Sequence, residues 1–292
     1  MQLAKRSMLL GCAYRTFLKR KYKQLPRFLY CTLPQKHICG AWSKFCIDVL
    51  TAGDQPHITE LISRWPGLFH ERQIRAEFTR IVTKDVLESF LEGLDGLVPR
   101  LLEVYKAAAK SGKKQPLKDT LDCLAKDDTN DRRRAAALLG LPRYTSGEDP
   151  STVIRMCDAH ADFLDDAMKG MQVDLLIACE GGEQGAIPHQ VFNVGVVVEE
   201  TIVLHNIKDV TLGFVTLMVV IYCVNLKYPE DMKYSFEFLQ SGDEDQTRPG
   251  LSSTTWFEKQ NPEVQTVTSG MFSVLFSYIR VPVKICLVCS MH

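Results

Sequence analysis

No acidic residue precedes Asp48 in this 292-residue chain. The charged residues before it are Lys5, Arg6, Arg15, Lys19, Arg20, Lys21, Lys23, Arg27, Lys36 and Lys44, all of one sign. The other 25 Lys and Arg stand against all 35 Asp and Glu, so a formally neutral chain divides into a basic arm and an acidic body of net charge −10. A CxxC…CxxC or CxxC…HxxxH arrangement is missing too. Ten cysteines occur at irregular spacing, in a chain too long for a disulfide-built scaffold. Reduced, intracellular thiols are therefore expected. Neither the Cys31, His37, Cys39, Cys46 group nor the Cys286, Cys289, His292 group has the paired spacing of a zinc site. There is no HExxH, no EF-hand loop, no P-loop, no GxGxxG and no GxSxG elbow, so the common metal, nucleotide and nucleophilic-serine signatures find no support. Bases interrupt every apolar stretch of the arm long enough to serve as the apolar region of a secretory signal.

What is present divides the chain into three expected parts. Residues 1–50 form a basic, weakly ordered arm. Read as a helix, it gathers Leu3, Leu10, Tyr14, Phe17 and Leu18 on one side. A mitochondrial presequence or a membrane-surface helix has that pattern. Aromatics interleaved with bases (Tyr14, Phe17, Tyr22, Phe28, Tyr30) also suit a nucleic acid. Residues 55–240 form the body, helical over 55–145 and mixed over 146–240. Residues 241–292 read as a divergent, poorly ordered tail. Its last apolar stretch, "MFSVLFSYIRVPVKICLVC", carries Arg280, Pro282 and Lys284 and makes a poor membrane span.

Within the body, Ile74, Phe78, Ile81 and Val82 make one apolar helical stripe, and Leu87 through Tyr105 continue the 3.6-residue period. Pro99, with Gly93 and Gly96 nearby, predicts a kink or break. Leu117, Leu121 and Leu124 predict a short helix. A further helix, "DRRRAAALLGL", is capped within Thr129–Asp131 and predicted to end at Gly140 and Pro142. "GEDPSTVIRMCDA" reads as a turn and a helix with Pro150 in its first turn. "QVDLLIAC" reads as a buried strand. "FNVGVVVEETIVL" reads as a strand apolar on both faces, interrupted at Glu199 and Glu200, which implies cover on both sides of the sheet. The 17 uncharged residues between Asp209 and Lys227 would make a helix of about 25 Å. Lys208, Asp209, Lys227, Glu230 and Asp231 crowd its ends without a positive-inside bias, so a buried core helix near 210–225 is expected, not a membrane insertion. Pro229 then opens another helix, with Met232, Phe236 and Leu239 on one face.

The segments "RWPGLFHERQIRAEF" (64–78), "RRRAAALLGLPRYTSGEDPSTVIR" (132–155) and the stretch 195–240 resemble, in the same order, the sterile alpha motif domain-containing protein 3-like group, outside its sterile alpha motif. That likeness spans about residues 60–240 and implies no catalytic activity. The motif itself, a small helical interaction domain, has no counterpart in residues 1–50, so self-association through it is not implied.

The expected fold is α+β: a helical N-terminal half packed on a small mixed sheet. The expected function is a cytoplasmic, non-enzymatic interaction or scaffold protein without cofactor, with unidentified protein partners. The alternative is a nucleic-acid-associated protein using the arm. The chemistry-bearing residues weighed are Asp158, His160, Asp162, Asp165 and Asp166, read as a solvated acidic face; Glu199 and Glu200, read as a surface exit from the sheet; and His189 and His205, read as structural histidines. No catalytic, cofactor-binding or metal residue is assigned.

Overall fold

The computed structural model describes residues 56–82, 86–110, 115–145, 147–158, 164–180, 187–224 and 226–240. The arm, the tail and both cysteine–histidine groups lie outside the described residues, as do His160, Asp162, Gly181 and Gly182. In chain order come helices α1 (Ile58–Arg64), α2 (Glu71–Val82), α3 (Val86–Lys110), α4 (Gln115–Lys126) and α5 (Asn130–Tyr144), then the single turn α6 (Pro150–Val153). Next are β1 (Ile154–Asp158), α7 (Leu164–Met168), β2 (Val173–Cys179), β3 (Val191–Val198) and β4 (Thr201–Ile207). Helix α8 (Val210–Val224), a 3-10 turn (Glu230–Met232) and α9 (Lys233–Gln240) complete the body. The architecture is α+β, with the helical half and a sheet of order β1-β2-β3-β4 packed together through α8. Strand β1 runs parallel to β2, and the other pairs are antiparallel.

The apolar segment after Asp209 forms α8, and this helix is the middle layer. It packs on β2 and β3 on one side and on α2, α3 and α5 on the other. A helix touched from all sides must be apolar all round, and Phe214, Leu217, Val219 and Val220 are each at most 1% exposed. Burial of each such side chain contributes about 1.5–3 kcal/mol. Gly213 lets the helix approach the sheet, because a Cβ there would lie 2.7 Å from Val194 Cγ1. Among the described residues no helix is long and apolar enough to cross a membrane.

Pro99 does not break its helix, and the stop expected at Gly140 and Pro142 does not occur. Helix α3 runs unbroken through Pro99, whose ring is exposed. The lost N–H leaves only the Asp95 carbonyl without its helical donor, while Phe90, Leu94, Leu97, Leu101 and Tyr105 are buried on the other side and hold the helix in place. Helix α5 is capped by Thr129, which accepts the Arg132 N–H, and continues past Gly140 and Pro142 to Tyr144. Gly140 serves packing and not termination. A Cβ at this position would sit 2.5 Å from Tyr105 Cε2, and the Tyr105 hydroxyl donates to the Ala137 carbonyl at 2.8 Å. Gly140→Ala is therefore expected to destabilise the fold by about 1–3 kcal/mol despite alanine's better helix propensity. A urea-midpoint comparison with Gly140→Ala/Tyr105→Leu checks this, since relieving the clash should recover part of the loss.

The segment 150–158 corrects another expectation. Asp149 caps a single helical turn through the Ser151 N–H (3.0 Å), after which the chain becomes β1. The β-branched pair Val153–Ile154 is buried, and a parallel ladder from Ile154 to Asp158 against β2 outweighs the helical pattern. The apolar run 191–207 is a hairpin whose two turn residues, Glu199 and Glu200, have φ of 50° and 57°. Such a turn matches the strand twist but normally selects Asn or Gly. Two glutamates here carry roughly 1–2 kcal/mol of backbone strain each. Both carboxylates are engaged, which offsets that cost. Glu199 Oε2 accepts the Ile58 N–H at 2.6 Å and lies 3.2 Å from His57 Nε2. Glu200 Oε1 accepts the Gly170 N–H at 2.7 Å.

The sheet is buried on both faces. Leu175, Ile177, Val194 and Val196 point into the main core with α8. Leu176, Ala178, Val197 and Ile202 form a second, smaller cluster with Leu164, Met168 and Met171.

Candidate functional site

Among the described residues, several polar side chains converge at the carboxyl end of β2. There a cleft of 270 Å³ opens between the end of α4 (Cys123, Lys126, Asp127), the first turn of α5 (Arg132), the end of β2 (Cys179, Glu180) and the approach to β3 (Ile187, Pro188, His189). It contains two thiols, an imidazole, two cations and two carboxylates, a set able to hold a small polar ligand.

Arg132 organises the cleft and is consumed in doing so. Its Nε donates to the Asp127 carbonyl (3.0 Å), Nη1 to the Pro188 carbonyl (3.1 Å) and Nη2 to the Cys123 carbonyl (3.4 Å). Two of those carbonyls lie at the α4 carboxyl end, where helical acceptors lack partners and a cation is favoured. The guanidinium therefore ties α4, α5 and the β3 approach together. The other two arginines of the triplet face elsewhere. Arg133 forks onto Asp128 at 2.5 and 2.6 Å, and that hydrogen bond lowers the Asp128 pKa. Arg134 forks onto Asp95 of α3 at 2.6 Å to each oxygen. Consecutive helical positions point about 100° apart, so one triplet supplies three separate clasps.

Of the thiols, Cys123 is half-buried and lines the cleft, and Cys179 is 1% exposed there. Cys157 lies on the second sheet face, and burial, then Cys179 and Asp158, push its thiol up to about 12. That thiol is protonated at neutral pH and a poor nucleophile.

The described acids of the 158–166 cluster are exposed, and His160 and Asp162 lie outside the described residues. Asp158 is exposed at the end of β1, and Asp165 and Asp166 are exposed in the first turn of α7. Among the described residues no group of three or more His, Cys, Asp or Glu is placed to hold a metal ion. Glu199 and Glu200 act on backbone N–H groups of α1 and of the loop before β2. His189 is exposed at the cleft, and His205 is half-buried on β4.

Two carboxyls, one half-buried and one buried, escaped sequence reasoning. Glu148, in the loop before α6, accepts the Ser235 N–H at 2.9 Å and the Ser235 hydroxyl, so it caps α9; its pKa is raised, chiefly by burial. Asp174 of β2 is 3% exposed with no partner on Oδ2. Burial is the main cause that raises its pKa to about 7, with Asp231 adding and the Gln172 N–H and Arg155 opposing. The sequence held a faint signal for Asp174, a lone acid inside an otherwise apolar strand.

Searches against protein-family models, curated proteins and solved structures find no match for this chain.

Proposed function

We propose that the chain is a non-enzymatic interaction or scaffold protein. The observation that carries this reading is the use to which its charged groups are put. Arg132 is spent on three backbone carbonyls, Glu148 on the start of α9, and Glu199 and Glu200 on backbone N–H groups. Each is a group a catalyst would aim at substrate, and each fastens one segment of the fold to another. The likeness of residues 60–240 to the sterile alpha motif domain-containing protein 3-like group, in which an interaction module is common, supports the same reading.

The test pairs two measurements on the full chain. Reciprocal co-precipitation at physiological salt is expected to recover one partner stoichiometrically in independent preparations, with binding unchanged in His189→Ala and Cys123→Ser. A thermal-shift panel of nucleotides, metal ions and common cofactors is expected to leave the melting temperature in place. A shift of several degrees, lost in His189→Ala, would replace the scaffold reading with ligand chemistry in the cleft.

The acid-free, aromatic-bearing first 47 residues favour a second reading, association with nucleic acid. It requires binding that weakens steeply between 50 and 200 mM salt and disappears with the arm.

A further inference from the structure

We propose that residues 147–152 form a pH-sensitive strap across the start of β2, closed in acid and lifted as pH rises, with the buried Asp174 carboxyl as its sensor. The strap is polar and lies at the surface. Gly147, Asp149, Ser151 and Thr152 are exposed, and Glu148 and Pro150 are half-buried. Segments held by so little apolar burial are the first to open. The strap starts at Gly147, where φ is 87° and an added Cβ would meet nothing among the described residues, so its first backbone position is one that glycine takes freely. A clasp of hydrogen bonds to the 3-10 turn and α9 holds it down. The Asp149 N–H donates to the Asp231 carbonyl at 3.1 Å, and the Thr152 hydroxyl donates to Asp231 Oδ2 at 2.8 Å. Glu148 accepts the Ser235 N–H at 2.9 Å and the Ser235 hydroxyl.

The sheet register brings the strap to Asp174. Ile154 pairs with Leu175, so α6, which ends at Val153, arrives beside Asp174 and packs on both β2 and the 3-10 turn. Asp174 is buried there with Oδ2 unpartnered. The charges around it are few. Strand β1 supplies Arg155, whose Nη1 is engaged by the Ala167 and Lys169 carbonyls, and the 3-10 turn supplies Asp231. Strand β3 places Val197 opposite, and α6 brings only the Ser151 and Thr152 hydroxyls. Against β1, α7 carries Asp165 and Asp166 in solvent, with Lys169 just beyond it. Burial first, and Asp231 after it, disfavour the ionised form of Asp174, while the Gln172 N–H and Arg155 oppose them. Glu148, within the strap, is raised too, chiefly by burial. A carboxyl whose pKa is higher under the closed strap takes up a proton on closing. Closure is therefore firmest below the ordinary aspartate value near 4, and weakens as pH rises to about 7. Lifting the strap hydrates Asp174, separates it from Asp231 and bares the first residues of β1 and β2.

Hydrogen exchange of the full chain, followed in low concentrations of urea and corrected for intrinsic rates, tests the strap. The Asp149 and Ser235 amides bond across the clasp. They are expected to exchange through an opening that urea barely promotes, and to lose protection about tenfold or more between pH 5 and pH 7. Val220 in α8 is the reference for global unfolding, which urea promotes strongly. In Asp174→Asn the loss at the clasp is expected to shrink to the part that Glu148 contributes. In Asp231→Asn, which keeps an acceptor for the Thr152 hydroxyl, it is expected to move to lower pH. Clasp amides whose protection stays level in the wild type, or falls only through the urea-dependent opening shared with Val220, overturn the proposal. So does a loss of equal size and midpoint in all three proteins.

Discussion

Replacing Asp174 with Asn is expected to flatten the stability of this protein between pH 4 and pH 7 and to strengthen it above pH 7. The side chain sits in the second strand of a four-stranded sheet, 3% exposed, with Oδ2 unpartnered. The cation that opposes its shift, Arg155, is already engaged, because Nη1 donates to the Ala167 and Lys169 carbonyls at 3.0 and 2.6 Å. Burial therefore dominates and lifts the carboxyl to about 7. The sign follows from linkage. Unfolded aspartate titrates near 3.9. Below that value both states hold the proton and the group contributes no penalty. As pH rises from about 4 to about 7 the unfolded chain ionises first, and stability is lost at up to about 1.4 kcal/mol per pH unit. Above 7 the loss is complete, on the order of 3–4 kcal/mol. Glu148 and Glu237 also have raised pKa values and tilt the wild-type curve the same way, so the difference between wild type and Asp174→Asn isolates Asp174. Urea unfolding at pH 4, 5.5, 7 and 8 reads it directly. Parallel curves for the two proteins would mean that water or a hidden donor already satisfies the carboxylate.

How much of this was legible in the sequence depends on whether a feature is local or assembled. Helix α8 was legible because its length, its uniform apolarity and its charged ends are all one-dimensional facts. The β3–β4 run was legible as strand, yet the turn at Glu199–Glu200 was not, because glutamate is a poor choice for positive φ. Its justification lies in Ile58 and Gly170, some 141 and 30 residues away. Gly140 and Pro142 read as a stop because those residues usually stop helices, and only the Tyr105 ring shows why glycine stands inside α5. The one-turn α6 followed by β1 failed for a similar reason, since a parallel pairing with β2 carries no local signal. The cleft was the least legible. Its walls come from residues 123–132, 179–180 and 187–189, and no window of sequence holds them together. The arginine triplet was visible as charge on a helix, whereas its division into three clasps required the partners' positions.

That division yields the other large effect. Arg132→Met is expected to destabilise the protein by about 3 kcal/mol, while Arg133→Met leaves the unfolding midpoint nearly unchanged. Arg132 is 13% exposed and satisfies carbonyls on α4 and on the β3 approach. Charge-assisted hydrogen bonds of this kind are each worth about 1.5–3 kcal/mol, and partial hydration of the freed carbonyls from the open cleft reduces the sum. Methionine keeps much of the aliphatic stem, so the change reads the polar contacts more than the packing. Arg132→Lys should recover little, because one ammonium does not fan across three carbonyls as a planar guanidinium does. Arg133, by contrast, pairs with Asp128 in solvent, where an ion pair contributes little. Amide exchange separates global from local loss. In Arg132→Met, faster exchange is expected first at the Asp127 and His189 amides flanking the cleft, ahead of Val220 in the buried helix. Equal losses for Arg132 and Arg133 would show that the triplet acts through net charge on α5 and not through the clasp.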